Sequence, residues 1–125
     1  MGKIIIEIEN LAVTAELKDT PTAQKILKLL PFEGRANVWG EEIYFDIALQ
    51  AELEPDASEE VQVGDLGYWP AGPAFCIFFG PTPVSRGNQP QAYSPVNVFG
   101  HVLGDAKQFK GVNAGAKISV TIAEE

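Results

Sequence analysis

A chain of 125 residues with 46% apolar and 21% charged side chains can bury a core without disulfides or metal and is too hydrophobic to remain disordered. Nine Lys and Arg against seventeen Asp and Glu leave a net charge of -8, which argues against nucleic acid and anionic membranes as partners because most faces would repel them. One cysteine, Cys76, and one histidine, His101, exclude an intrachain disulfide, a cysteine-cluster zinc site and any Ser-His-Asp triad not built on His101.

Met1-Gly2-Lys3 leads straight into alternating apolar and charged residues, with neither a signal-peptide core nor a membrane span, so a single cytoplasmic domain over residues 1–125 is expected. Over residues 3–9, Ile4, Ile6 and Ile8 share one face and Lys3, Glu7 and Glu9 the other, the period of a half-buried strand. The short Glu9-Asn10 junction leads into Leu11, Val13, Ala15 and Leu17 with the same alternation, which predicts an antiparallel hairpin. Thr20 then caps a helix that opens on Pro21, carries Ala23, Ile26, Leu27 and Leu30 on one face, and is ended by Pro31 and Gly34.

Residues 36–39 and 42–49 read as strands around Gly40. On the second, Ile43, Phe45, Ile47 and Leu49 point inward and Glu42, Tyr44, Asp46 and Gln50 outward. The acidic stretch 52–60, with Pro55 and Ser58, is expected to be a solvated loop. Residues 64–70 form a short strand, and the apolar run 74–79 has the character of a central strand covered on both faces. Residues 80–95 contain Pro81, Pro83, Pro90 and Pro95 and no periodicity, so they form a long connection of the functional or disordered kind. Strands at 96–103 and 116–123, with a loop or single helical turn over 105–110, complete the chain. About eight strands and one or two helices point to a mostly-β, closed or nearly closed barrel.

The order of Pro21-Thr22-Ala23 at the helix start, Val98-Phe99-Gly100-His101-Val102, and Lys117-Ile118-Ser119-Val120-Thr121-Ile122 resembles the cyclophilins. Gly64-Asp65-Leu66-Gly67-Tyr68-Trp69 and Phe78-Phe79-Gly80-Pro81-Thr82-Pro83 are closer to a group of small prokaryotic cyclophilin-like proteins whose function is not settled. The resemblance implies a cyclophilin-like barrel, and in cyclophilins an arginine over a hydrophobic pocket catalyses the cis/trans rotation of X-Pro bonds. Here the segment matching the family's Phe-His-Arg reads Val38-Trp39-Gly40-Glu41-Glu42, with carboxylates in place of the cation. The family's pocket histidine falls on Val96, and residues 80–95 hold no tryptophan, Tyr93 being the nearest aromatic. A fold alone does not carry an activity.

Two clusters are candidates for a site. Trp39, Glu41, Glu42 and Tyr44 place aromatic rings beside carboxylates able to act as acid or base, or else only mark a charged β-turn. Ser85, Arg86, Asn88 and Tyr93 lie on the long connection, where the Arg86 fork could clamp a carboxylate or peptide carbonyl, or simply be solvated. Phe75, Phe78 and Phe79 are pocket floor or plain core, and a one-residue shift of register exchanges their faces. His101, sharing a face with Phe99 and Leu103, reads as a satisfied or exposed histidine, and Cys76 as inert core. The expected protein is a binding module for a small molecule or short peptide, without efficient isomerase activity, cofactor or metal. Its expected cleft lies between residues 38–44 and 80–95 and uses Trp39, Glu41, Tyr44, Phe78, Thr82, Ser85, Arg86 and Tyr93. No catalytic residue is assigned. The alternatives are a weak peptidyl-prolyl isomerase, or a subunit whose exposed aromatic patch forms a homo-oligomer or partner interface.

Overall fold

The isoleucine alternation builds the first hairpin, in which β1 (Lys3–Ile8) and β2 (Leu11–Leu17) pair antiparallel with Ile6 opposite Val13. The computed structural model describes residues 2–123. Helix α1 (Pro21–Leu29) follows, with the Thr20 hydroxyl accepting the Ala23 N–H at 3.1 Å and Ala23 and Ile26 buried. This cap satisfies one of the N–H groups that a helix start leaves without a partner.

The other strands are β3 (Phe32–Arg35), β4 (Asn37–Val38), β5 (Glu42–Asp46), β6 (Ser58–Glu60), β7 (Asp65–Trp69), β8 (Ala74–Phe78), β9 (Gln91–Val102) and β10 (Lys117–Ile122), with a 3-10 turn at Ala106–Phe109. They join in one antiparallel sheet ordered β3-β10-β1-β2-β9-β7-β8-β5-β4, with β6 added on β9. The hydrogen-bonded path therefore has two ends, β3 and β4, which only Ala36 separates in the chain. Among the described residues no helix is long and apolar enough to cross a membrane.

Several expectations are corrected. Gly34 does not merely end the helix; it sits in β3 opposite Ile118. The strand expected at 36–39 is only Asn37–Val38, and the one expected at 42–49 stops at Asp46. Strand β9 begins at Gln91, inside the expected connection, because β6 pairs with it there. Pro95 is tolerated within β9 because that pairing is irregular, running from Ser58 opposite Val96 to Glu60 opposite Gln91. The acidic stretch is tied down as well as solvated: the Glu54 carboxylate accepts from the N–H and hydroxyl of Thr22, and the Glu54 N–H donates to Asn97.

Two apolar layers lie on opposite faces of the sheet at β8, every residue of which is buried. Phe75 and Ile77 join Ile6, Ile26, Phe45 and Phe99 in the main core, where Phe75 packs on both Phe45 and Phe99 at centroid distances of 5.1 Å. Ala74, Cys76 and Phe78 face the other way, into a smaller cluster with Val61, Ala92 and Val96. The central-strand expectation therefore holds, and the facing of the phenylalanines is settled.

Candidate functional site

The smaller layer is incompletely filled. Strands β5 and β8 pair with Tyr44 opposite Cys76 and Glu42 opposite Phe78, and β7 places Gly67 on the other side of Cys76. A Cβ on Gly67 would stand 3.0 Å from Val96 and 3.2 Å from Phe78, so glycine lets β9 close over this face. Above this row a cavity of about 260 Å³ remains, lined by Trp39, Glu42, Tyr44, Trp69, Cys76, Ala92, Tyr93 and Val96.

Each wall comes from a different part of the chain. Trp39 is delivered by the two-residue turn between β4 and β5, closed by hydrogen bonds between Trp39 and Glu42 in both directions. Gly40 in that turn has φ 61°, and a Cβ there would stand 2.8 Å from Thr82 and Pro83, so the turn presses directly on the long connection. Tyr93 projects from the start of β9 and is 70% exposed. Its ring stands edge-to-face between the two tryptophans, at 6.2 Å and 74° from Trp39 and at 6.2 Å and 86° from Trp69. The Trp69 indole N–H donates to the Ser94 hydroxyl, which fixes the ring.

Glu42 is the chemically distinctive wall. It is only 6% exposed, and burial raises its pKa from 4.5 to about 7, with a hydrogen bond to the Cys76 thiol partly opposing the rise. Burial first, and the neighbouring Glu42 charge second, push the Cys76 thiol well above its ordinary value. Among the described residues no group of three or more His, Cys, Asp or Glu side chains is placed to hold a metal ion.

Of the residues chosen from the sequence, Trp39, Tyr44 and Tyr93 meet at the cavity. Phe78 is fully buried in the layer beside it. Glu41 points elsewhere, to an ion pair with Lys107 at 3.2 Å, while its backbone N–H holds Pro81. Thr82 and Ser85 brace the connection: the Thr82 N–H donates to the Ser85 hydroxyl, and the Thr82 hydroxyl donates to the Gln91 carbonyl. Arg86 is exposed in a separate polar hollow with Ser58, Glu59, Glu60 and Gln91. Asn88 is also exposed and does not line the cavity. His101 is exposed, 4.0 Å from Glu16.

The sequence marks neither Trp69 nor Cys76 as a wall and places Glu42 on the outward face. The available signal was alternation: Glu42 and Tyr44 share a face, and Cys76 and Phe78 share the face of β8 that meets them.

The Cys76 thiol is buried yet borders the cavity, so its reactivity tests whether the protonated, shielded state persists. The native protein is expected to resist a bulky aromatic disulfide reagent at pH 8 and to release one thiol per chain only on unfolding. Complete labelling of the native protein within seconds would contradict this environment.

An antiparallel β protein with an aromatic-walled cleft on the outer side of its sheet is the class that this fold and this cavity define. The chain belongs to the cyclophilin-like family, whose profile matches residues 2–121. The solution structure of the hypothetical protein AF2241 from Archaeoglobus fulgidus is similar at TM-score 0.81 and 34% identity, over 98% of this chain and 95% of that one. McbB, solved in complex with tryptophan, shares the fold at TM-score 0.68 and 20% identity; the match takes in 98% of this chain but 45% of McbB, so the chain spans less than half of that protein. No curated protein sequence matches the chain.

Proposed function

We propose that this protein is a cyclophilin-fold binding module that takes a small molecule, or one side chain of a short peptide, into the cavity between Trp39, Tyr44, Trp69 and Tyr93. The observation that carries this reading is an aromatic-walled cavity with a single buried carboxyl group. Ligand sites combine apolar walls with a few polar groups that fix orientation, and about 260 Å³ lies just under their usual range. McbB, which shares the fold over part of its length, is solved in complex with tryptophan, in keeping with a small-molecule ligand here. A nearly closed barrel completes the reading, supported by β3 and β4 being adjacent in the chain and by Phe32 packing 6.1 Å from Phe45. Thr82, Ser85 and Glu41 then serve as braces, and Arg86 belongs to the rim beyond the cavity.

Both tryptophans of the chain, Trp39 and Trp69, line the cavity, so intrinsic fluorescence reports its occupancy directly. A panel of small aromatic and apolar metabolites should contain compounds that shift or quench the emission saturably. Trp39→Ala is expected to weaken such a ligand by tenfold or more, as loss of a central aromatic contact does. If no compound changes the emission, or if the variant binds unchanged, the site is misplaced.

Efficient isomerisation is not expected. The peptide-bond barrier is about 18–20 kcal/mol, and losing one donor aimed at the developing charge costs about 100- to 1000-fold. None of the cavity walls is an arginine, lysine or histidine. A protease-coupled proline assay should therefore give at least about 100-fold less activity than an ordinary cyclophilin, and comparable activity would overturn the reading.

A further inference from the structure

The cavity walls are electrostatically one-sided. The lone acidic group, Glu42, is more than nine-tenths buried, and the Cys76 thiol of β8 lines the cavity with it. The other titratable groups that share the cavity are the phenols of Tyr44, on its own strand, and Tyr93, on β9. The adjacent Glu41 is occupied by Lys107. Among the described residues the ion pairs are Lys107 with Glu41, Lys117 with Glu33 and the approach of His101 to Glu16, so none of their cations neutralises Glu42.

We propose, on the basis of the binding reading above, that the ligand is a compact organic cation of the alkylated-ammonium class, with its charge set against the Glu42 carboxylate and its alkyl groups against the aromatic walls. Trp and Tyr rings attract cations through their negative faces, and desolvation strengthens the effect. The near-perpendicular settings of Tyr93 to Trp39 and to Trp69 present ring surfaces in more than one direction around the cavity. An alkylated ammonium suits these walls better than a primary one, which would bring three N–H donors to a space with one carboxyl group. About 260 Å³ is the volume of roughly nine liquid waters, room for a group of choline's size. The net charge of -8 also favours the approach of a cation.

The cation must compete with the proton that Glu42 holds in the empty cavity. Binding therefore releases a proton, and affinity falls by about tenfold for each unit of pH below about 7.

The test is titration of wild type and Glu42→Gln with choline and with its neutral carbon isostere dimethylbutanol, at pH 8 and pH 5.5, by tryptophan fluorescence and calorimetry. Choline is expected to bind wild type at pH 8 at least tenfold more tightly than dimethylbutanol and to lose that advantage at pH 5.5. Glu42→Gln should weaken choline at least tenfold and leave dimethylbutanol within about twofold. Equal binding of the two probes to wild type at pH 8, or choline binding indifferent to Glu42→Gln, overturns the cation assignment and leaves the cavity as the binding site. If neither probe perturbs the tryptophans while other apolar compounds do, the cation assignment alone fails. If no compound of any class does, the binding reading fails with it.

Discussion

Replacing Asn97 by Ala is expected to destabilise the protein by about 2 to 4 kcal/mol, the range in which buried hydrogen-bond networks lie. Asn97 is fully buried and joins three parts of the chain that are distant in sequence. Its amide N–H groups donate to the Thr22 hydroxyl at 3.0 Å and the Glu52 carbonyl at 2.9 Å, and its carbonyl oxygen accepts the Glu54 N–H at 2.8 Å. Thr22 in turn donates to the Glu54 carboxylate, so the first turn of α1, the acidic segment and β9 share one network. Truncation leaves several buried groups unpaired, and each costs about 1 to 3 kcal/mol, less when they relax together. Urea unfolding monitored by circular dichroism should show the midpoint fall with the slope unchanged. A loss below about 1 kcal/mol would mean that water replaces the side chain without penalty.

Glu42→Gln is expected to stabilise the ligand-free protein at pH 8 and to leave it nearly unchanged at pH 4. The folded-state pKa of Glu42 is raised to about 7 from an ordinary 4.5. Between those values the folded protein holds a proton that the unfolded chain has lost, so this residue's contribution to stability declines as pH rises from about 4.5. Above about pH 7 the decline is complete, and the buried carboxylate costs on the order of 3 kcal/mol. Glutamine keeps the shape and never ionises, so its advantage should appear across that window as a rise in Tm of several degrees. Matched thermal scans of the two proteins from pH 4 to pH 8 make the comparison. A wild type whose stability relative to the variant does not change over that window would show that Glu42 ionises freely, with water in the cavity. A saturating organic cation should narrow the variant's advantage at pH 8 by about 1.4 kcal/mol or more, because it binds the ionised wild type at least about tenfold more tightly than the variant.

Much of the fold was legible because it rests on local periodicity. Ile4, Ile6 and Ile8 alternate with charged residues, Thr20-Pro21 opens a helix by cap and ring geometry alone, and residues 74–79 are apolar without interruption. Each of these signals lies within a few residues of chain, and the hairpin, α1 and β8 stand where they predict. The short strands β3 and β6 carry no such signal. FEGR and SEE have no run of β-formers, and they are strands because β10 and β9 offer them open edges.

The bulge on β9 follows the same logic. Gly67 pairs with Val98 and Leu66 with Gly100, so Phe99 is the extra residue. Its ring enters the core while His101, two positions on, stays exposed, although simple alternation gives them one face.

The sequence by itself determined the class of fold, the helix start, the central strand and the aromatic residues Trp39, Tyr44 and Tyr93, because hydrophobic period and turn chemistry are written in neighbouring residues. Only the tertiary structure decided what lies beyond the outward face of β5. Alternation sends Glu42 and Tyr44 away from Ile43 and Phe45, but whether that direction leads to water depends on a strand almost fifty positions later. Strand β9 folds back over that face and brings Tyr93 and Val96, while β7 brings Trp69, so the outward side becomes a second apolar layer with a buried carboxyl group lining its cavity. Burial, and with it the protonation of Glu42, is a property of elements that meet only in three dimensions.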